Sequence, residues 1–254
     1  MFLTGVQALA RIPLQQLRAD REQGRSTAAF LSGYPGSPLA GLNFEIDKAR
    51  SLAPDLPIVH RPVLNEEHGA TAVMGSQLAP GQPDCVYDGI IGLWYGKAPG
   101  LDRAGDALRH AVFTGTSRHG GAVAIVGDDP AAKSSTLPSS SDAALVDLLM
   151  PILYPGDVKE VLTLGMHAVA LSRITGAWTA LKVVAAVADG SGTVDLSSSA
   201  VQPKVPDLMI DGVPYLHQPD ANLLTPNNLD LERDLRTSRA ELVRRYIVAN
   251  ELSP

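Results

Sequence analysis

Residues 86–116 read VYDGIIGLWYGKAPGLDRAGDALRHAVFTGT. An apolar, β-rich run (Val86–Leu93) gives way to a Gly- and Pro-containing loop and then to an amphipathic stretch (Asp102–Thr116), the order of a buried strand, its connection and a covering helix. The same order recurs outward in both directions. Towards the N-terminus, strands are predicted at Ser26–Leu31 and Leu56–His60, with helices at Gln7–Arg21, Gly41–Leu52 and Glu66–Leu78. Towards the C-terminus, strands at Gly121–Val126, Ile152–Tyr154 and Ala180–Val187 alternate with helices at Ser141–Leu149 and Pro155–Thr175. Such alternation builds βαβ units, so the expectation is an α/β fold, a three-layer αβα domain on a six-stranded parallel sheet.

That domain is assigned to residues 1–200. Residues 201–254 are assigned to a Pro-rich connector, with five prolines between Pro203 and Pro226, and a C-terminal amphipathic helix that places Leu231, Leu235, Leu242 and Ile247 near helical spacing among alternating charges. Prolines at that density do not build a core of their own, so the arm is expected to cross onto a partner and its helix to dock on a domain outside this sequence.

Composition narrows the function classes. The chain has 254 residues, 45% hydrophobic and 19% charged, which suits a globular domain with a sizeable core. The single Cys85 removes disulfide frameworks, multi-cysteine zinc sites and ligation of an iron–sulfur cluster by this chain. A formal charge of −6 argues against a nucleic-acid-binding chain, because phosphate neutralisation needs clustered Lys and Arg. The longest apolar stretches stop short of the roughly 20 residues of a membrane span, and the N-terminus lacks a signal-peptide pattern, so the expected location is cytoplasmic.

Ligands of an open parallel sheet bind at the carboxyl edge of the strands. Four segments rich in Gly, Pro and small hydroxyl residues fall there: SGYPGSPLAG, LNEEHGATAVMG, GLWYGKAPGLDRAGD and GDDPAAKSSTLPSSSD. Turn chemistry alone accounts for any one of them; four at equivalent places point to a shared site. No G-x-G-x-x-G follows the first strand, and no G-x-S-x-G is present. Gly127–Ser135 nearly fits a P-loop, but Ala132 replaces the glycine before Lys133, and Asp128 and Asp129 place carboxylates where phosphate would sit. The six histidines make no ligand-spaced pair, so no protein-bound metal is expected; His68 and His119 are the two in loop or helix-start positions. Cys85 lacks a flanking base and reads as a packing residue.

Glu66 and Glu67 follow Asn65, a good N-cap, so both fall in the first turn of a helix, where they complement the macrodipole. Behind them runs a small-residue helix with Gly69, Ala70, Ala72 and Gly75, which suits close packing against a neighbour or ligand. Successive helical residues are rotated by about 100°, so Glu66 is expected to point along the axis and Glu67 away. An acid at such a tip suits proton transfer.

Four motifs occurring in order, YPGSP (Tyr34–Pro38), NEEHGATAVMGSQ (Asn65–Gln77), YDGIIGLWYGKAPGLDRAGD (Tyr87–Asp106) and GTSRHGGAVAIVGDDPAAKSSTLP (Gly115–Pro138), resemble the N-terminal region of indolepyruvate ferredoxin oxidoreductases. The resemblance runs from the first residues to about Ala188. It implies the pyrimidine-binding domain of a thiamine diphosphate enzyme that oxidatively decarboxylates a 2-oxoacid. Carried over residue by residue, Glu66 matches the glutamate that hydrogen-bonds the aminopyrimidine ring and is the catalytic candidate, with Glu67 weaker. Tyr34, Ser37 and Gly96 are implied to line the cofactor, and Ser37, Lys97 and Asp128 the substrate. Mg2+ and the diphosphate are implied to be held by a partner domain or subunit, iron–sulfur clusters to lie on partner domains, and 2-oxoacid, coenzyme A and, through a partner, ferredoxin to be the reactants.

The sequence departs from that pattern in two respects, the first being that it shows no cluster-binding or oxoacyl-CoA-forming domain. The nearest approach to the Gly-Asp-Gly motif of a diphosphate-binding domain is Ala188-Asp189-Gly190, with Asn227-Asn228 too distant to complete it. The chain therefore reads as half of a site, truncated or split from a longer enzyme and inactive alone, in a dimer or larger assembly, with an apolar patch around Ile90–Tyr95 and the Glu66 helix left for the missing half. The alternatives are a non-oxidative thiamine diphosphate decarboxylase subunit and a catalytically silent binding or scaffold domain of the same fold.

Overall fold

A computed structural model describes residues 1–197 and 201–252. Numbered along the chain, the strands are β1 (Phe2–Thr4), β2 (Thr27–Gly33), β3 (Ile58–His60), β4 (Gly89–Lys97), β5 (Ala122–Asp128), β6 (Ile152–Leu153), β7 (Thr179–Val184), β8 (Ser191–Thr193), β9 (Met209–Ile210) and β10 (Val213–Pro214). The helices are α1 (Gly5–Glu22), α2 (Leu42–Ser51), α3 (Glu66–Leu78), α4 (Ala98–Arg103), α5 (Gly105–Thr114), α6 (Asp142–Asp147), α7 (Val158–Thr175), α8 (Ala185–Ala188), α9 (Asn227–Asp234) and α10 (Ala240–Ala249). Among the described residues, β2 to β7 form one parallel six-stranded sheet in the order β3-β2-β4-β5-β7-β6, with helices on both faces. All six predicted strands are present.

The central strands are covered on both sides, which is why they read as unbroken apolar runs rather than alternating ones; every residue of β5, AVAIVGD, is buried. Along β4 the side chains alternate between two cores. Leu93 and Tyr95 enter the one built on α1, α2 and α7, and Trp94 enters the one built on α3 and α5. This placement overturns the expected apolar patch at Ile90–Tyr95: Ile91, Leu93, Trp94 and Tyr95 are fully buried within the chain, because β4 lies at the middle of the sheet.

Local chemistry sets the helix ends. Thr4 and Gln7 form a reciprocal capping box at α1. Asp157 caps α7 through the Glu160 N–H, and Gly176 ends that helix in the left-handed conformation. The predicted helix Asp102–Thr116 is two helices, α4 and α5: Pro99 sits in the first turn of α4, where its missing N–H costs nothing, and the chain leaves helical geometry at Ala104. The predicted strand to Val187 stops at Val184, and its last residues turn into α8.

The C-terminal segment departs most from expectation. Its helix does not await another domain: Leu235, Leu242 and Tyr246 are buried against this same chain, and the Arg239 guanidinium, 0% exposed, donates to the carbonyls of Val112 (3.1 Å) and Phe113 (3.2 Å) at the end of α5. The apolar stripe found a partner in α5 and α7, and the arginine supplies donors for helix carbonyls that have none. Within the arm, β9 and β10 form a hairpin whose Asp211-Gly212 turn has both residues at positive φ, as a two-residue turn of that type requires. The boundary expected at residue 200 lies outside the described residues.

Candidate functional site

The carboxyl edge brings together the ends of β2, β3, β4 and β5. The Asn65 side chain accepts the His68 N–H at 3.0 Å and starts α3 with Glu66 as its first residue. Glu66 is 7% exposed, whereas Glu67 is exposed, the division expected from the rotation between them. Trp94 Nε1 donates to the Glu66 carbonyl at 2.9 Å and fixes the helix start against β4. The Glu66 carboxyl lies over the turn that follows β4. A β-carbon at Gly100 would overlap Oε1 and lie 2.7 Å from Cδ, and one at Gly96 would lie 3.4 Å from Cγ. Only glycine at 100 leaves room for the carboxylate. Among the described residues, no donor bonds to that carboxylate. The residue is largely covered, while its carboxylate oxygens are not sealed from solvent.

The other predicted residues form two further groups. The Tyr34 N–H donates to the Tyr95 carbonyl at 3.1 Å, and its ring is 43% exposed. Ser37 Oγ is hydrogen-bonded to Ser134 Oγ, tying the loop after β2 to the loop after β5. Lys97, half-buried, runs its stem along Gly36, with Cδ 3.0 Å from where a β-carbon would stand. Tyr34, Ser37 and Lys97 thus lie along one loop, next to Gly96. Asp128 stands apart. It is 1% exposed, its Oδ2 accepts the N–H (2.9 Å) and hydroxyl (3.0 Å) of Ser141, and Lys182 Nζ lies 3.4 Å away. Lys182 also reaches Asp142 at 2.5 Å. Burial opposes the charge on Lys182, but Asp142 and Asp128 outweigh it and hold its pKa above the usual value.

The near-P-loop has a physical account. The N–H groups of Lys133 (2.9 Å), Ser134 (2.9 Å) and Ser135 (3.0 Å) converge on the carboxylate of Asp129, so the cradle of backbone donors is filled by the loop's own anion. These bonds, that of Ser134 foremost, hold the Asp129 pKa below the usual carboxylate range. Lys133, which a nucleotide loop would aim at phosphate, pairs instead with Asp189 at 2.7 Å. Asp189, the centre of the sequence's nearest Gly-Asp-Gly likeness, is spent on that ion pair.

Sequence reading missed Gly100 and Trp94 as parts of the site. The G-K-A-P-G spacing carried a signal for the first: a second glycine four residues after Gly96, just behind a helix-starting proline. A cavity of about 650 Å³ lies away from Glu66, at the amino edge of the sheet, where Arg25, His119, Arg173, Pro203, Leu208 and His217 are among its walls. His119 belongs there and not to the carboxyl edge; burial, then the charges of Arg118, Arg25 and Arg173, keep its pKa below the usual value. Among the described residues, no group of acidic, His or Cys side chains is arranged to hold a metal ion, and no helix is long and apolar enough to cross a membrane.

Fold and site together define an α/β domain of doubly covered parallel-sheet type with a bare acid at its carboxyl edge. No family profile and no curated protein matches the chain. Among solved structures, it is similar to a 2-oxoglutarate:ferredoxin oxidoreductase from Magnetococcus marinus, solved with 2-oxoglutarate, coenzyme A and succinyl-CoA bound, at a TM-score of 0.69 and 14% identity. The match covers 97% of this chain and 45% of that one, so this chain spans less than half the length of that protein. At this identity the likeness establishes a shared fold.

Proposed function

We propose that the chain supplies the pyrimidine-facing half of a thiamine diphosphate site in a 2-oxoacid:ferredoxin-type oxidoreductase, with an indolepyruvate-type aromatic 2-oxoacid as the substrate class. The observation that carries this reading is the Glu66 carboxylate, 7% exposed at the tip of α3, seated over Gly100 and free of any donor among the described residues. A ring nitrogen that takes up a proton fits such a group, because the resulting N–H supplies the donor that the carboxylate lacks. The four motif resemblances and the shared fold support the same reading.

When bound, thiamine diphosphate supplies the carbanion chemistry and electron sink that decarboxylation of a 2-oxoacid needs. Glu66 would hold a proton against a ring nitrogen, and the Trp94 bond to its carbonyl keeps α3 from sliding along β4. Tyr34 and Gly96 would line the ring. Ser37 and Lys97 would meet the substrate, the lysine ammonium answering its carboxylate. Asp128 would shape this edge through Ser141 and Lys182, which hold its Oδ2, while its buried Oδ1 has no partner among the described residues. A partner domain or subunit would hold the diphosphate and Mg2+ and carry the clusters that pass electrons to ferredoxin, with coenzyme A as acyl acceptor; location in the cytoplasm and a dimer or larger assembly belong to this reading. Exposed Leu64 and Leu137, on loops of the same edge, suit a covered surface.

The test reconstitutes the chain with its diphosphate-binding partner and adds thiamine diphosphate with Mg2+. Uptake is followed by calorimetry and the exchange of the C2 proton by NMR. Glu66→Gln is expected to keep uptake and slow exchange by about 10²-fold or more, the usual scale for losing a positioned acid or base, and Glu67→Gln to change it little. Absence of uptake by the assembled wild-type protein would overturn the reading.

A further inference from the structure

The C-terminal arm is fastened to the body at two places, and each fastening contains a buried or half-buried histidine. At the first, His217 is 8% exposed, with Nδ1 3.7 Å from Asp234 Oδ2, and it packs so tightly on the ends of α5 and α7 that a β-carbon at Gly115 or at Gly176 would overlap its ring. Its Nε2 is buried with no partner among the described residues. Around the same carboxylate, Tyr215 donates to Asp234 at 2.7 Å and Arg239 Nε at 2.9 Å, while the Asp220 N–H reaches the Thr114 carbonyl at 3.0 Å. At the second, His167 of α7 has Nδ1 2.9 Å from the hydroxyl of Tyr246, which is fully buried on α10. Between the two lies the cavity of about 650 Å³, whose walls include Tyr215, His217 and Leu242 of the arm.

We propose that residues 201–252 are a strap closed by these two neutral histidines, and that a proton on either one loosens it and opens the cavity beneath. The geometry favours the neutral form at both. A second ring proton on His217 would be buried beside the Arg239 guanidinium, where Asp234 Oδ2 already receives Tyr215 and Arg239 and the facing Thr114 carbonyl already receives the Asp220 N–H. At His167, half-buried, no carboxylate pairs with the ring among the described residues, so a charge there would be partly desolvated without a counter-ion. The groups that face His217 are Asp234, Arg239 and Tyr215 from the arm, with Arg173 and His119 on the walls of the shared cavity. Burial first, and Arg239 after it, keep the His217 pKa below its ordinary value against the pull of Asp234; burial alone does so at His167. A group whose pKa is lower in the closed state holds that state fully above the free value of 6.5, and the contribution fades as pH falls below it.

The experiment is hydrogen exchange with mass spectrometry on the full chain between pH 7.5 and 5.5, corrected for intrinsic exchange, comparing peptides of the arm with peptides of β4 and β5. In the wild type the opening constant of the arm should rise below pH 6.5, by at most about tenfold per pH unit for each histidine, while β4 and β5 keep their protection. His217→Gln and His167→Gln should each reduce that rise, and the double variant should reduce it further than either. A wild-type arm with no pH dependence, a rise indifferent to both histidines, or parallel loss of protection in β4 and β5 would each overturn the proposal. Should one glutamine variant fail to fold, the other alone still decides the slope.

Discussion

Asp20 and Glu66, buried residues at opposite edges of the sheet, carry carboxylates that are handled in opposite ways. Asp20, 0% exposed near the amino edge, receives Arg173 at 2.6 and 2.7 Å, Thr27 at 2.7 Å, Gln16 at 3.0 Å and Arg25 at 3.2 Å. Glu66, at the carboxyl edge, is nearly as buried and receives nothing from the described residues. The first arrangement ties α1, α7 and the start of β2 into one body. The second leaves the carboxylate open to a partner from outside the chain. Asp20 has its partners within the chain, whereas the Glu66 carboxylate has none among the described residues.

The comparison can be broken most forcefully at Asp20. Asp20→Ala leaves the Arg173 guanidinium buried without its counter-ion and should cost about 3–5 kcal/mol of stability, read from denaturant unfolding; a loss under about 1 kcal/mol would remove the contrast. The acid limb gives a second reading. Burial raises the Asp20 pKa, but Arg173, followed by Thr27 and Gln16, outweighs it and sets the pKa below the ordinary 3.8. Its contribution is therefore complete above that pH and disappears as pH falls through the lowered value, so Asp20→Asn should flatten the acid-unfolding curve there.

A smaller effect is expected at Gly100. Gly100→Ala drives a methyl group into the Glu66 carboxyl and should cost about 1–3 kcal/mol by overpacking. Shortening the acid at the same time should relieve it, so the double variant Glu66→Ala with Gly100→Ala should be more stable than additivity allows, a positive coupling measured by a double-mutant cycle. Additive behaviour would mean that the acid does not rest on that turn. The smallest effect on stability belongs to Glu66→Gln. With no partner to lose, the fold should change by no more than about 0.5 kcal/mol in thermal unfolding, in contrast to Asp20.

The sheet was legible because its strands are either buried on both faces or bounded by turn residues, and neither pattern depends on distant parts of the chain. Glu66 was legible for a similar reason: Asn65 fixes where α3 begins, and one rotation then decides which acid faces inward. What supports Glu66 was hidden, since Gly100 meets it from a separate turn, and sequence spacing does not report contact between turns. The docking of the C-terminal helix was hidden more deeply. Arg239, in a run of alternating charges, looks like part of a solvated face, yet it is 0% exposed and caps α5. Its role rests on the geometry of helix ends more than 120 residues away in sequence.

The loop after β5 carries a built-in competitor. Asp129 stays within reach of the N–H groups of Lys133, Ser134 and Ser135 at an effective concentration set by a five-residue tether, in the millimolar range or above for short links. A free phosphate or sulfate must outcompete it for every bond. The distance between this loop and one that captures anions is therefore a single side chain: Asp129→Gly would evict the resident and leave three converging donors exposed to whatever oxyanion the solution holds.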